Sequence, residues 1–172
     1  MEKQSRELAR ITSQELQTIY SIKELRTSLS HVRTVEDSIK SNTPTIGQFT
    51  RDMGVSKIET YIKFWLINLC QSLDLKRSLS EYHIDETAHL IVSEYKNLTI
   101  SDINLIFKKA KLGKYGEFFE SLTMSKVLGW FSKYYDERLE MCAIISQREA
   151  SKYKHPTPRS KGKDWKEYLK NK

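Results

Sequence analysis

The sequence predicts an all-α protein: a single bundle of about six helices with a long N-terminal helix and a flexible basic C-terminal tail. Apolar residues recur three and four positions apart along most of the 172 residues, which is the period of helices that bury one face. No stretch alternates apolar and polar residues as a half-buried strand does. The 6 Gly and 3 Pro are too few for the turns of a many-stranded β-fold.

The first helix is expected over residues 2–38, which contain neither Gly nor Pro. Its apolar stripe is narrow and drifts around the helix, and a break near residues 28–30 is an open alternative. Such a stripe packs along the body of the protein or pairs with another chain. Residues 1–40 are therefore interpreted as an N-terminal amphipathic helix, and residues 8–32 as the contact with a protein partner or a second copy.

The bundle domain is expected over residues 43–150. Thr43 is the predicted N-cap of a short helix, Pro44 suits its first position, and Gly54 suits its end. Ser56 is the predicted cap of the next helix, which should be the most buried one because apolar residues cover well over a third of its surface. Those residues are Ile58, Tyr61, Ile62, Trp65, Leu66, Leu69 and Leu73.

Three more helices complete the predicted bundle. Ser80 is expected to cap the first, Thr99 or Ser101 the second, and Thr123 the third, which should run over residues 124–150. The apolar residues expected to face inward on this last helix are Val127, Trp130, Phe131, Tyr134, Met141 and Ile145.

Four residues have predicted structural roles in this part of the bundle. Asp102 lies in the first turn of its helix, where the helix dipole favours a carboxylate. Gly113 and Gly116 allow the chain to reverse between helices. Arg138 is expected to pair with a carboxylate such as Asp102 and to stack on an aromatic ring.

Catalytic and metal-binding motifs are missing from the sequence. It has no Gly-x-Ser-x-Gly, no Gly-x-x-x-x-Gly-Lys and no Gly-x-Gly-x-x-Gly. Cys70 and Cys142 lie among apolar neighbours, which favours inert thiols. The Glu-x-x-His formed by Glu86 and His89 has no second copy, as a di-iron bundle would require. We therefore expect a non-enzymatic protein with no metal, cofactor or small-molecule substrate.

Two further motifs have a functional and a plain structural interpretation. Residues 45–66 resemble a helix-turn-helix, although a second helix that includes Phe64 and Ile67 among its apolar residues belongs in a core rather than in a DNA groove. The segment from Gly113 to Gly116 matches the loop with which KH domains hold a single strand. Predicted flanking strands are missing, however, and two glycines also make an ordinary tight turn.

The net charge of +7 is concentrated at the C-terminus. Residues 151–172 contain eight basic and two acidic side chains, or +6, which leaves +1 for residues 1–150. Lysines attract phosphates and interleaved aromatic rings can stack on bases, so the tail is predicted to bind nucleic acid, while an inert or partner-binding tail is the alternative. The candidate residues are Lys152, Tyr153, Lys154, Arg159, Lys161, Lys163, Trp165, Lys166, Tyr168 and Lys170, with Lys108, Lys111 and Lys114 as a secondary basic patch.

The sequence also restricts where the protein is expected to act. No apolar run approaches the roughly 18 residues that a bilayer crossing requires, and the first residues do not resemble a secretory signal. Two cysteines cannot form a disulfide framework. We expect a cytoplasmic protein that makes no membrane contact.

A family resemblance adds to this reading over roughly residues 44–140. It is carried by Tyr95, Leu98, Ser101, Asp102, Ile103, Phe107, Lys108, Lys109, Gly113, Tyr115, Gly116, Phe119, Leu122, Trp130, Tyr134, Asp136, Glu137 and Arg138. The chain resembles a group of small, largely uncharacterised helical proteins of bacteriophages and related mobile elements. The resemblance implies a protein near replication functions in the cytoplasm of a bacterial host, and it implies no activity and no site residues.

The leading hypothesis is a non-enzymatic phage or mobile-element adaptor in DNA replication, of the replication-initiation or helicase-loading type. Its basic tail would contact nucleic acid non-specifically, with single-stranded DNA as the expected form. The alternative is a structural or interaction protein, either a virion-associated component or an inhibitor of a host protein, that oligomerises through the N-terminal helix.

Overall fold

A computed structural model describes residues 27–73, 77–116 and 121–153 of the chain. Six helices occupy these ranges: α1 (Val35–Lys40), α2 (Ile46–Met53), α3 (Val55–Ser72), α4 (Glu81–Glu94), α5 (Ile100–Lys111) and α6 (Met124–Tyr153). Within the described ranges, strand-like pairing is limited to isolated bridges that join Thr45 to Thr99 and Arg77 to Ser121. The prediction of an all-α bundle is confirmed.

Helix α3 buries most of the apolar residues that the sequence assigns to its inner face, but the prediction that it is the most buried helix is wrong. Nine of the 12 residues of α5 are buried, against five of the 18 residues of α3. Trp65 is 1% exposed and stacks on Phe107 of α5, with ring centroids 5.3 Å apart and planes 7° from parallel. Phe107 in turn meets the edge of Phe131 on α6, 6.0 Å away. Phe64 and Ile67 point outward instead, with 53% and 39% exposure, so the expectation that they require burial is wrong.

The segment before α1 does not continue as one helix to residue 38. Residues 27–28 are helical, a turn covers residues 29–31, and α1 begins only at Val35, where Thr34 and Asp37 form a reciprocal capping box. The break near residues 28–30, the alternative that the sequence left open, is therefore present. The break allows Leu29 and Val32, which are 1% and 0% exposed, to turn into the core. Residues 1–26, which contain most of the predicted N-terminal helix, lie outside the described part of the chain.

The starts of α2 and α3 differ from those that the sequence predicts. Thr45, not Thr43, caps α2, and Gln48 completes its capping box. Gly54, at φ +89°, both ends α2 and precedes α3, so the predicted cap Ser56 lies inside the first turn of α3. The helices meet at a single residue because glycine adopts this backbone conformation without steric cost.

The later helix starts agree with the sequence. Ser80 caps α4 and Thr99 caps α5. The Thr123 hydroxyl accepts from the Lys126 backbone N–H at the start of α6. Local polar side chains therefore determine where these three helices begin.

Helix α6 has a buried half and an exposed half. Its first half contributes Val127, Trp130, Phe131 and Tyr134 to the core, each at most 5% exposed. Residues 146–152 are all exposed, and the helix reaches Tyr153, the last described residue, which is three residues beyond the predicted end. Among the residues that the structure describes, no helix combines the length and the apolar content that a bilayer crossing requires.

Candidate functional site

A buried carboxylate joins three helices near the middle of the bundle. Asp102 of α5 is 0% exposed and accepts hydrogen bonds at both of its carboxylate oxygens. Its Oδ1 accepts from the Ser38 hydroxyl at 2.6 Å and the Tyr134 hydroxyl at 2.7 Å. Its Oδ2 accepts from the Thr99 N–H at 2.8 Å, the Thr99 hydroxyl at 3.0 Å and Arg138 Nε at 2.9 Å. We call these five residues the Asp102 network.

The predicted ion pair between Arg138 and Asp102 is thus present. Five donors from α1, α6 and the cap of α5 satisfy the buried charge. Burial, reinforced by the neighbouring Asp102 charge, raises the pKa of the Tyr134 hydroxyl far above its ordinary value, so that Tyr134 remains a donor. A cation also lies over the Tyr134 ring, where Lys109 Nζ is 5.2 Å from the ring centroid.

A second group of hydroxyls extends this network towards the N-terminal segment. Ser101 Oγ accepts from the Ser41 hydroxyl at 2.6 Å and from the Thr43 hydroxyl at 2.9 Å. The Ser101 backbone N–H donates to Thr43 at 3.2 Å. These bonds explain why Thr43 is unavailable as a helix cap. Together with the Asp102 network they fasten the segment around α1 to α5, which is a structural role.

The three residues of the predicted secondary basic patch lie on or just after the last turns of α5. Lys108 Nζ donates to the Val32 carbonyl at 3.3 Å. Lys111 Nζ donates to Asn68 Oδ1 at 2.5 Å and to Ser72 Oγ at 2.9 Å. Lys114 follows in the turn and is exposed. Two of the three lysines are therefore positioned by the bundle itself.

Two adjacent grooves of about 310 Å³ each are lined by these lysines. Both grooves include Lys108 and Leu112, and Leu112 is 65% exposed. We call the region formed by both grooves the Leu112 surface. One groove adds Arg33, Leu105, Lys109, Lys114, Tyr115 and Glu137. The other adds Leu29, Ser30, Trp65, Asn104 and Lys111.

The Gly-x-x-Gly segment forms a turn that anchors an aromatic residue. Gly113 and Gly116 have φ values of +70° and +103°, which other residues rarely adopt. Between them, Tyr115 packs flat on Trp130, with centroids 5.8 Å apart and planes 12° from parallel. Burial and the nearby Glu137 charge raise the pKa of Tyr115. The described part of the segment therefore turns its aromatic side chain inward, as the structural interpretation expects.

The two residues of the Glu-x-x-His motif do not act as a pair. His89 Nδ1 lies 2.9 Å from Glu59 Oε1 on α3. The partner of His89 is therefore Glu59, and their contact joins α4 to α3. Across residues 27–73, 77–116 and 121–153, no three His, Cys, Asp or Glu side chains are grouped closely enough to hold a metal ion.

Most of the predicted tail lies outside the described residues. Lys152 and Tyr153 occupy the last turn of α6, and Lys152 is exposed. The remaining candidates, from Lys154 to Lys170, fall beyond the described part of the chain. Of the predicted partner-binding region, residues 8–26 also fall outside it. The buried residues Leu29 and Val32 belong to the bundle core.

Comparison with known proteins gives one family match. The model of a family of unknown function, DUF6633, matches residues 81–172, which is more than half of the chain. The match includes α4, α5 and α6, and therefore Asp102, Leu112 and the basic C-terminal segment. No curated protein and no solved structure matches the chain. The match therefore provides a family but no activity.

Proposed function

The chain belongs to the DUF6633 family, and we propose that it is a non-enzymatic adaptor that contacts nucleic acid through its basic C-terminal tail. The proposed setting is DNA replication of a phage or mobile element, in the cytoplasm of a bacterial host, where a replication-initiation or helicase-loading factor would act. This setting depends on the sequence resemblance of residues 44–140 to phage proteins, and the tail contact depends on charge.

The observation that carries the proposal is the way α6 leads into the tail. The first half of α6 is fixed in the core, whereas residues 146–152 are exposed on all sides of the helix. The segment that carries +6 of the net charge of +7 begins in this exposed part. The start of this segment, at residues 151 and 152, is therefore accessible to a polyanion without any rearrangement of the bundle.

The composition of the tail favours single-stranded nucleic acid bound without sequence preference. Its eight lysines and arginines can neutralise phosphates, and Trp165 and Tyr168 can stack on bases of any sequence. Reading a duplex sequence would instead require a preformed element that enters a groove. The tail sequence, with its run of His, Pro, Ser, Gly and Lys, is not typical of such an element.

Salt dependence of binding tests the tail directly in the full-length protein. The test variant replaces five tail residues by Gln: Arg159, Lys161, Lys163, Lys166 and Lys170. If these five neutralise five phosphates of a dT oligonucleotide, the slope of log K against log salt should become less negative by about 3.5 in the variant. The affinity at low salt should fall with it.

A matched control removes the same charge from the bundle. It replaces one exposed arginine and four exposed lysines by Gln: Arg51, Lys57, Lys96, Lys126 and Lys133. Its slope should stay close to that of the wild type. Equal slopes for the wild type and the tail variant would contradict the proposal. An equal change of slope in the tail variant and the control variant would also contradict it, because binding would then depend on the net charge of the protein and not on the tail.

A further inference from the structure

The Leu112 surface presents an exposed aliphatic side chain between two grooves. Leu112 ends α5, and its 65% exposure is high for an apolar residue that borders the floor of a protein groove. Leu29 and Trp65 line one groove and Leu105 lines the other, and each is at most 1% exposed. Leu112 therefore supplies the accessible apolar contact of the surface, above groove floors formed by buried apolar side chains, and this favours apolar side chains of a ligand.

The charged residues of the same surface are nearly all cationic. Five cations line the two grooves: Arg33, Lys108, Lys109, Lys111 and Lys114. The carboxylate among the lining residues, Glu137, is paired with Lys109. A ligand that complements this field carries several negative charges close to its apolar groups.

The aromatic residues of this surface favour a peptide over a nucleic acid. Trp65 is buried beneath Phe107, and Tyr115 lies flat on Trp130 with its hydroxyl buried. Base stacking contributes much of the affinity of proteins for single strands and needs accessible ring faces. At the Leu112 surface the most exposed apolar group is aliphatic, as in surfaces that bind the apolar face of a peptide.

We propose that the Leu112 surface docks an acidic amphipathic segment of a protein partner. The apolar side chains of the segment would lie in the two grooves on either side of Leu112, and its carboxylates would face the surrounding lysines and Arg33. This inference rests on the adaptor role proposed above and names the class of partner that the bundle binds, separately from the tail.

Selection from a display library of random 12-residue peptides tests the proposal on the full-length protein. Peptides selected by the wild type should combine Asp or Glu with Leu, Ile or Phe at regular spacing. A Leu112→Ser variant should bind the selected peptides at least tenfold more weakly, because it removes the apolar contact between the grooves. Lys114→Glu should have a similar effect by reversing a charge at the rim.

Two matched controls separate docking from loss of fold. Leu139→Ser removes another exposed leucine, 51% exposed on α6, and Lys133→Glu reverses an exposed charge away from the grooves. Both should bind the selected peptides as the wild type does. Circular dichroism and melting temperature should be unchanged in all four variants.

The remaining outcomes would overturn the proposal. These are selection of no peptide, selection of peptides without an acidic and apolar pattern, and binding that Leu112→Ser leaves unchanged. Weaker binding of a dT oligonucleotide by Leu112→Ser, without any effect on peptides, would assign the surface to nucleic acid. A concentration-dependent dimer lost in Leu112→Ser would assign it to a second copy. The tail experiment reports on different residues, so either proposal can fail alone.

Discussion

Replacing Asp102 by Asn should destabilise the protein more than any exposed substitution would. The side chain is 0% exposed, and all five donors of the Asp102 network converge on its two oxygens. Asn keeps one acceptor oxygen for Ser38 and Tyr134 but turns an NH₂ group towards Thr99 and Arg138, which are themselves donors. The substitution therefore removes the hydrogen bonds to Oδ2 and leaves the Arg138 charge without its partner.

The cost can be estimated from these contacts. A hydrogen bond to a charged group contributes about 1.5–3 kcal/mol, so losing the backbone and guanidinium bonds to Oδ2 costs about 3–6 kcal/mol. Breaking a buried ion pair by removing one partner costs about 3–5 kcal/mol, which agrees. Arg138→Met leaves Asp102 with four donors but removes its counter-charge, so it should also cost about 3–5 kcal/mol.

Urea unfolding monitored by circular dichroism measures both losses, and the double variant completes the cycle. The double variant should be less destabilised than the sum of the two single variants, because Asp102→Asn no longer leaves a cation unpaired when Arg138 is absent. A loss below about 1 kcal/mol for Asp102→Asn, or a double variant whose loss equals the sum of the two single losses, would refute the assignment of Asp102 as the acceptor that joins the helices.

Two further predictions concern Tyr134 of the Asp102 network and two glycines near the ends of the last two helices. Because burial and the Asp102 charge raise the pKa of Tyr134, the contribution of Tyr134 to stability is complete below its unfolded pKa near 10 and is lost as the pH rises further. Urea unfolding at about pH 9 and about pH 11 should therefore show a decline in stability that is smaller in Tyr134→Phe by about 1.4 kcal/mol over the whole interval. Equal declines would contradict this. Gly116→Ala should destabilise the protein by about 1–2 kcal/mol, because the φ of Gly116 is +103°. Gly129→Ala should stabilise it by about 0.5–1 kcal/mol, because Gly129 lies in α6 with open space around the position of a Cβ atom. Thermal melts measure both changes, and two stability changes of the same sign would contradict the backbone argument.

The sequence predicts the helices well because their determinants are local. Apolar spacing identifies the buried face of α3, and single polar side chains set the starts of α4, α5 and α6 at Ser80, Thr99 and Thr123. The pairing of Arg138 with Asp102 was also predictable, because an arginine between inward-facing residues needs a carboxylate.

The errors arise where a residue has a distant partner. Thr43 and Thr45 both precede the apolar residues of α2, and Gln48, three residues after Thr45, is the local signal that distinguishes them. Thr43 instead bonds Ser101, 58 positions away, which no local pattern indicates. In the same way Ser38 gives no sign in the sequence that it donates to Asp102.

The Leu112 surface was only partly visible in the sequence for the same reason. The lysines of α5 are adjacent in sequence and indicate a basic patch. The apolar floor comes from Leu29, Trp65 and Leu105, which lie on separate segments and meet only in the fold. An exposed leucine at a helix end is unremarkable by itself, so Leu112 becomes a candidate only when its neighbours are known.

Helix α6 separates the Leu112 surface from the start of the basic C-terminal segment. Glu137 lines the Leu112 surface, and the helix continues 16 residues to Tyr153, a distance of about 24 Å along its axis. That separation exceeds the Debye length of about 8 Å at physiological salt, so the charge of Lys152 in the last described turn of α6 is largely screened at the Leu112 surface. The two proposals together predict that a nucleic acid bound by the tail leaves the peptide-docking grooves open, as simultaneous binding of two partners by an adaptor requires.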